Sequence, residues 1–111
     1  MKNFKEEVKE LRKSTIDIQY KNLYDKLFTN ITSTIKRNVS NIENLSIKQV
    51  FCCIDFDTNV IKISKDIFLQ VVNEIFNDLD IADCIRDISF KHESNYQDSF
   101  YRLTFYYNVE E

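Results

Sequence analysis

The chain has 111 residues, of which 43% are hydrophobic and 30% charged, and it carries a formal net charge of −3. It contains neither glycine nor proline. This excludes the phosphate-binding P-loop, the G-x-G-x-x-G dinucleotide turn and the G-x-S-x-G nucleophile elbow, because each needs glycine where the backbone turns sharply or approaches a ligand.

The amino-acid usage predicts one domain, residues 1–111, and an A/T-rich gene. A chain of this length fits a single domain with its own hydrophobic core. Phe, Tyr, Ile, Asn and Lys, whose codons are largely A/T-rich, are abundant, whereas alanine occurs once, as Ala82. We therefore expect a source such as a low-GC bacterium, a phage, a plasmid or a virus.

The three cysteines, Cys52, Cys53 and Cys84, predict buried free thiols. Their odd number argues against a disulfide framework, and no C-x-x-C or His–Cys spacing indicates a metal site. The D-x-D-x-N pattern of residues 55–59 lacks the glycine and the distal glutamate of a calcium loop. We therefore expect no metal, no cofactor and a reducing, cytoplasmic location. The charged N-terminus predicts no signal peptide, and the absence of a long apolar run predicts no membrane contact.

Apolar residues at steps of three and four predict a helical N-terminal segment over residues 1–39. One helix over residues 3–39 would be about 55 Å long, and it would overhang a domain with a radius of gyration of about 13 Å. Either the helix breaks at residues 14–17, with Ser14 capping a second helix, or the overhang pairs with a second copy or a partner. The apolar stripe changes phase between Leu11 and Tyr20, which favours the break.

Residues 47–109 predict a ββαββ unit after the helical segment. Its predicted elements are a hairpin of strands at residues 47–56 and 60–64, a helix at residues 65–79 capped by Ser64, and strands at residues 85–92 and 99–109. Asn59 is the predicted left-handed turn residue, since asparagine tolerates positive φ. The fold class is therefore α+β, with a four-stranded antiparallel sheet packed on helices.

The second face of this predicted sheet is too polar for a core and too aromatic for an ordinary solvent-exposed surface. It carries Phe51, Cys53, Asp55, Val60, Lys62, Ser89, Lys91, Phe100, Arg102, Thr104 and Tyr106. Three interpretations remain open: the N-terminal helices pack across part of it, it is a homodimer seam, or it recognises a partner. Because aromatic residues and arginine are enriched in interfaces, Phe100, Arg102 and Tyr106 are candidate partner-binding residues.

Charge is distributed unevenly, with +4 on residues 1–50 and −7 on residues 51–111. Four more candidate partner-binding residues, Asp78, Asp80, Asp83 and Asp87, cluster around the end of the second predicted helix. Such a patch would dock on a basic surface, for example the groove of a nucleic-acid-binding host protein, although a solvated loop also explains it. Basic residues near the N-terminus alternate with glutamates, which disfavours direct binding of nucleic acid.

The sequence shows no catalytic constellation. His92 is the only histidine, and no nucleophile or orienting group can be assigned to it. We hypothesise a small non-enzymatic protein-binding module from a phage, virus or mobile element, acting as a stoichiometric inhibitor of a host protein; anti-CRISPR proteins share this small, acidic, motif-free character. The alternatives are a homodimeric structural or assembly protein and, less favoured, a nucleic-acid-binding regulator.

Overall fold

The computed structural model describes residues 3–43, 46–59, 62–94 and 98–109. The elements in chain order are α1 (Phe4–Ser40), β1 (Gln49–Asp57), α2 (Lys65–Asp78), a 3₁₀ turn (Ala82–Cys84), β2 (Ile85–Ser94) and β3 (Ser99–Asn108). The strands form an antiparallel sheet in the order β1-β3-β2. The α+β class is confirmed, and the described sheet has three strands where the sequence predicts four.

The predicted strand at residues 60–64 is not confirmed, and neither is the ββαββ order. Val60 and Ile61 lie outside the described residues, and residues 62–64 are not in a strand. The half-buried Ile63 packs against the core, and its carbonyl accepts a hydrogen bond of 2.6 Å from the hydroxyl of Tyr101. Residues 62–64 therefore lie outside the described sheet, and Ile63 contacts the core beside Tyr101.

The predicted break at residues 14–17 is wrong, because α1 is one continuous helix. Asn3 caps its start, with the side-chain oxygen accepting a 2.9 Å hydrogen bond from the backbone N–H of Glu6. The hydroxyl of Thr15 donates to the carbonyl of Leu11 at 2.8 Å, so this side chain is hydrogen-bonded within the continuous helix. The molecule is accordingly elongated, with a longest dimension of 66 Å and a radius of gyration of 17.5 Å.

The change of phase along α1 marks a change of surroundings. The second half of the helix buries Leu23, Leu27 and Ile31 in the core, whereas residues 4–19 are all exposed. At about 100° per residue, the stripe that contains Val8 and Leu11 lies about 130° around the helix from the buried stripe. The two apolar stripes of α1 therefore face different directions.

Both helices pack on the same face of the sheet. One core cluster joins α1 and α2 to the inward-facing side chains of β1 and β3: Val50, Cys52, Ile54, Phe56, Tyr101, Leu103 and Phe105. The alternate residues of β1 are exposed, which confirms the predicted two-faced pattern of that strand. The outer face of the sheet is therefore not covered by the N-terminal helix, contrary to one of the three interpretations.

The predicted helix after Ser64 is confirmed. Its C-terminal cap, where glycine is the usual residue, is formed here without glycine. The N–H of Ile81 bonds to the carbonyl of Phe76 and that of Asp80 to the carbonyl of Asn77, each at 3.0 Å, which is a Schellman motif. Asp80 holds the left-handed position of this motif, with φ 57°. Within the described ranges, positive φ occurs at Asp80 and Asp87, and the prediction for Asn59 is wrong.

Replacing Asp80 by glycine is expected to stabilise the protein by about 1 kcal/mol, because glycine adopts positive φ without a Cβ clash and removes a negative charge from the C-terminal end of α2. Urea unfolding followed by circular dichroism measures the effect. Asp80→Asn removes the charge and keeps the side chain, so the difference between the two variants isolates the backbone contribution. An unfolding midpoint for Asp80→Gly at or below that of the parent protein would contradict this explanation.

Candidate functional site

Hydrogen bonds to tyrosines on α1 hold the first part of the acidic cluster. The hydroxyl of Tyr24 donates to a carboxylate oxygen of Asp78 at 2.5 Å. One turn earlier on both helices, the hydroxyl of Tyr20 donates to Glu74 at 2.5 Å. Asp78 therefore helps to dock α2 on α1, and Asp80 terminates α2 through its backbone.

The environment of these phenols disfavours their ionised form. Burial first, and then the hydrogen bond to Glu74, raises the pKa of Tyr20 to about 12. The hydrogen bond to Asp78 first, and then burial, raises the pKa of Tyr24 to about 12. In both cases an ionised phenol would face a carboxylate across the contact between α1 and α2. Repulsion between these like charges disfavours the ionisation.

The raised pKa values of Tyr20 and Tyr24 predict that the protein loses stability in alkaline solution. Their pKa values are higher in the folded chain than the ordinary value of about 10, so the folded state binds these protons more tightly. The stabilisation is complete below about pH 10 and is lost as the pH rises through about 12. The Tyr20→Phe/Tyr24→Phe variant should show a shallower decline across this window, as measured by urea unfolding.

The matched control for the alkaline series is Tyr106→Phe, which removes a phenol from the outer face of the sheet. Because this variant keeps the hydrogen bonds of Tyr20 to Glu74 and of Tyr24 to Asp78, it should follow the parent protein across the same pH window. Equal alkaline slopes for the parent protein and the Tyr20/Tyr24 double variant would show that these contacts do not govern the response.

The second part of the acidic cluster forms the entry to β2. Asp83 lies in the 3₁₀ turn, and its backbone carbonyl accepts a hydrogen bond from the guanidinium of Arg86. Asp87 has φ 55° and lies where the β2–β3 register shifts between Arg86 and Ser89, which is a β-bulge. Aspartate tolerates this left-handed conformation better than most residues. All four predicted aspartates are exposed, and each also has a local structural role.

Arg102 on the outer face of the sheet already has a carboxylate partner within the fold. Its Nε lies 2.8 Å and its Nη2 3.2 Å from the two carboxylate oxygens of Asp55, directly opposite on β1. The hydrogen bond to Asp55 raises the pKa of Arg102. The guanidinium also lies 5.3 Å from the ring centroid of Phe100. The arginine predicted to bind a partner is therefore oriented by its own chain.

An aromatic pair lies on the same face near the other end of β3. Phe51 and Tyr106 are opposite each other in the register of β1 and β3. Their ring centroids are 5.3 Å apart in an edge-to-face arrangement. Phe51 is 53% exposed, and the neighbouring Cys53 is also exposed, so the prediction of a buried thiol is wrong at this position. Cys52 and Cys84 are buried as predicted.

The seven predicted residues do not form one site. Phe100 and Tyr106 are six positions apart on β3, which corresponds to about 20 Å along a strand. Asp83 and Asp87 flank Ile85, which pairs with Tyr107 near the Tyr106 end of the sheet. The aspartates and Tyr106 therefore lie towards one end of the sheet, and Phe100 and Arg102 lie at the other.

His92 has a partner that the sequence did not indicate. Its Nε2 lies 3.0 Å from the hydroxyl oxygen of Ser99, and that oxygen also accepts a 2.7 Å hydrogen bond from Thr58. The imidazole packs edge-on against Tyr101, with ring centroids 5.0 Å apart. We interpret these contacts as side-chain packing that ties the ends of β1, β2 and β3 together. Among the described residues, no group of three or more His, Cys, Asp or Glu side chains could hold a metal ion.

The exposed N-terminal part of α1, residues 4–19, which we call the projecting segment, is the overhang of the less favoured of the two sequence-based alternatives. Four of its apolar side chains, Phe4, Val8, Leu11 and Ile18, are 79%, 46%, 68% and 59% exposed, respectively, and a fifth, Ile16, is 45% exposed and points to another side of the helix. The four follow a helical spacing, so they form one stripe, which Thr15 interrupts between Leu11 and Ile18. The sequence feature that indicated this segment was the change of phase of the apolar stripe between Leu11 and Tyr20. The favoured sequence interpretation explained that change by a break in the helix.

Comparisons with protein-family models, curated proteins and solved structures give no significant match for this chain. Over the part of the chain that the structure describes, no helix combines the length and the hydropathy needed to span a membrane.

Proposed function

We propose that this chain is a non-enzymatic protein-binding module that acts by occupying the surface of another protein chain in a fixed stoichiometry. The observation that carries the proposal is the exposed apolar stripe of the projecting segment. A soluble helix normally buries such a stripe, because exposed apolar surface costs about 25 cal/mol per Å² relative to its burial. A capped helix that presents this stripe beyond its own core is suited to bind a complementary apolar surface.

The inhibitor hypothesis is one form of this proposal. The supporting features are the small size, the A/T-rich residue usage and the net charge of −3. The exposed aspartates that follow α2, Asp80, Asp83 and Asp87, favour a partner with a basic surface, since complementary charge accelerates association and selects partners. In this arrangement the stripe supplies the apolar contact, and the acidic residues bias the choice of partner.

Affinity capture from a lysate of the host organism, with the full chain as bait, tests the proposal. The parent bait should retain a partner in a fixed molar ratio. Phe4→Ser/Leu11→Ser should reduce that recovery at least about tenfold, the ratio that corresponds to about 1.4 kcal/mol of binding free energy. The matched control is Glu6→Ser/Lys13→Ser, which changes the opposite side of the same helical segment and should leave recovery unchanged.

Near-ultraviolet circular dichroism of each bait verifies that the core remains folded. Undiminished recovery of the same partner by Phe4→Ser/Leu11→Ser would remove the projecting segment from the proposal. A third bait, Asp80→Asn/Asp83→Asn/Asp87→Asn, then asks whether the acidic residues alone carry the interaction.

A further inference from the structure

We propose that the occupant of the apolar stripe is a second copy of this chain, with the two projecting segments forming a short parallel coiled coil in register. This deepens the proposed function, because it rests on the projecting segment being a protein-binding surface. It selects the homodimeric form of the binding module, in which the stripe contacts a second copy in place of a host protein.

The spacing of the stripe matches a coiled-coil seam. Phe4, Val8, Leu11, Thr15 and Ile18 alternate in steps of four and three, which is the 3.5-residue repeat that two supercoiled helices bury between them. The single polar member of the seam is compatible with burial, because the Thr15 hydroxyl already donates to the carbonyl of Leu11 at 2.8 Å. Burying the seam would therefore leave no threonine hydrogen unsatisfied.

The charges beside the seam are complementary in a parallel pair. One flank of the stripe carries Lys5 and Arg12, and the other carries Glu7. In a parallel dimer in register, a residue on the second flank faces the residue five positions later on the partner. Glu7 then faces the partner subunit's Arg12, and symmetry produces the same pair twice. An antiparallel arrangement would instead bring the two basic flanks together, so charge selects the parallel arrangement.

The position of the stripe allows this dimer without a collision of the two folded domains. The stripe lies about 130° around α1 from the side that packs on β1 and α2. The rest of each chain would therefore project away from the seam, on opposite sides of it. The projecting segment is about 24 Å long, or about two heptads. So short a seam supports a weak, concentration-dependent dimer.

Sedimentation equilibrium of the full chain, from about 1 µM to about 500 µM, tests the proposal. The apparent mass should rise from the monomer value of 13.3 kDa towards twice that value. Leu11→Ser should weaken association at least about tenfold, and the control Lys13→Ser, on the opposite side of the helix, should leave it unchanged. A parent protein that stays monomeric throughout overturns the homodimer, yet leaves intact the capture of a different partner by the stripe.

Two further variants establish the orientation. Glu7→Arg should weaken the dimer several-fold, and the charge swap Glu7→Arg/Arg12→Glu should restore it, because the swap re-forms both interhelical pairs. In a Cys53→Ser background, Phe4→Cys should form an intermolecular disulfide under mild oxidation, since this position at the end of the seam meets its own copy only in a parallel pair in register. A dimer without that cross-link, or an assembly larger than two chains, would overturn the parallel pair.

Discussion

Truncation of Phe68 to alanine is expected to lower the free energy of unfolding by about 3–5 kcal/mol, the cost of removing a fully buried aromatic ring. Phe68 is 0% exposed at the centre of the core. Its ring centroid lies 5.6 Å from that of Phe56, 5.7 Å from Phe90 and 5.1 Å from Tyr101. One residue of α2 thus connects all three strands, and its loss opens a cavity that they share.

The matched control is Ile67→Ala, one position earlier on α2. Ile67 is 42% exposed, so its truncation removes apolar side-chain carbons, three where Phe68→Ala removes six, without creating an enclosed cavity. We expect a loss of less than about 1 kcal/mol. Urea unfolding of both variants, followed by the near-ultraviolet signal of the tyrosines, measures the contrast. Equal losses would show that Phe68 is not at the centre of a close-packed core.

Proline in α1 is expected to destabilise the core from one part of the helix and not from the other. Asn30→Pro, at an exposed residue of the core-packed part, removes a helical hydrogen bond and places the ring against the preceding turn. That costs about 3 kcal/mol or more, so cooperative unfolding should shift to much lower urea concentration. Ser14→Pro has the same local cost, but residues 4–19 do not pack in the core. That variant should lose helical signal and keep the unfolding midpoint of the core.

The comparison requires protein concentrations at which light scattering gives a monomer for the parent and both variants, so that dimer formation does not contribute to stability. Far-ultraviolet circular dichroism reports the loss of helix, and the near-ultraviolet signal reports the core. If Ser14→Pro lowers the core midpoint as much as Asn30→Pro does, the projecting segment and the core are one cooperative unit.

Local signals in the sequence predicted α2, β1 and β3 well. Ser64 is the residue type that caps helices, and its hydroxyl accepts the N–H of Ile67 at 3.3 Å as expected. Strict alternation in β1 identified the buried positions, including Cys52, because side chains on a strand point alternately to its two faces. These features depend on neighbouring residues alone, so one sequence is sufficient to show them.

Partners that are distant in the chain were not predictable in the same way. Alternation marks the faces of a strand, but it does not state which strand lies beside it. The pairs Asp55–Arg102 and Phe51–Tyr106 exist because β1 lies next to β3, whereas the sequence favoured a local hairpin after β1. The outer face was identified correctly as aromatic and charged, and its ion pair and aromatic pair were missed.

Two aspartates of the predicted docking patch also have backbone roles. Asp80 and Asp87 were interpreted as parts of that patch because they cluster with Asp78 and Asp83 in the acidic half of the chain. Their φ values of 57° and 55° show backbone roles at a helix end and a β-bulge. Acidic residues at such positions carry a structural and an electrostatic contribution together, and composition alone does not separate the two.

The order of the strands has a consequence for synthesis on the ribosome. β3 is the last of the three strands along the chain, and it lies between the other two. In the described sheet, β1 and β2 each pair with β3 and not with each other. Until β3 has left the ribosome, both earlier strands lack the neighbour that satisfies their backbone, and they present bare edges to other chains. The sheet is therefore completed late, and a nascent chain stalled before β3 is the form most exposed to aggregation.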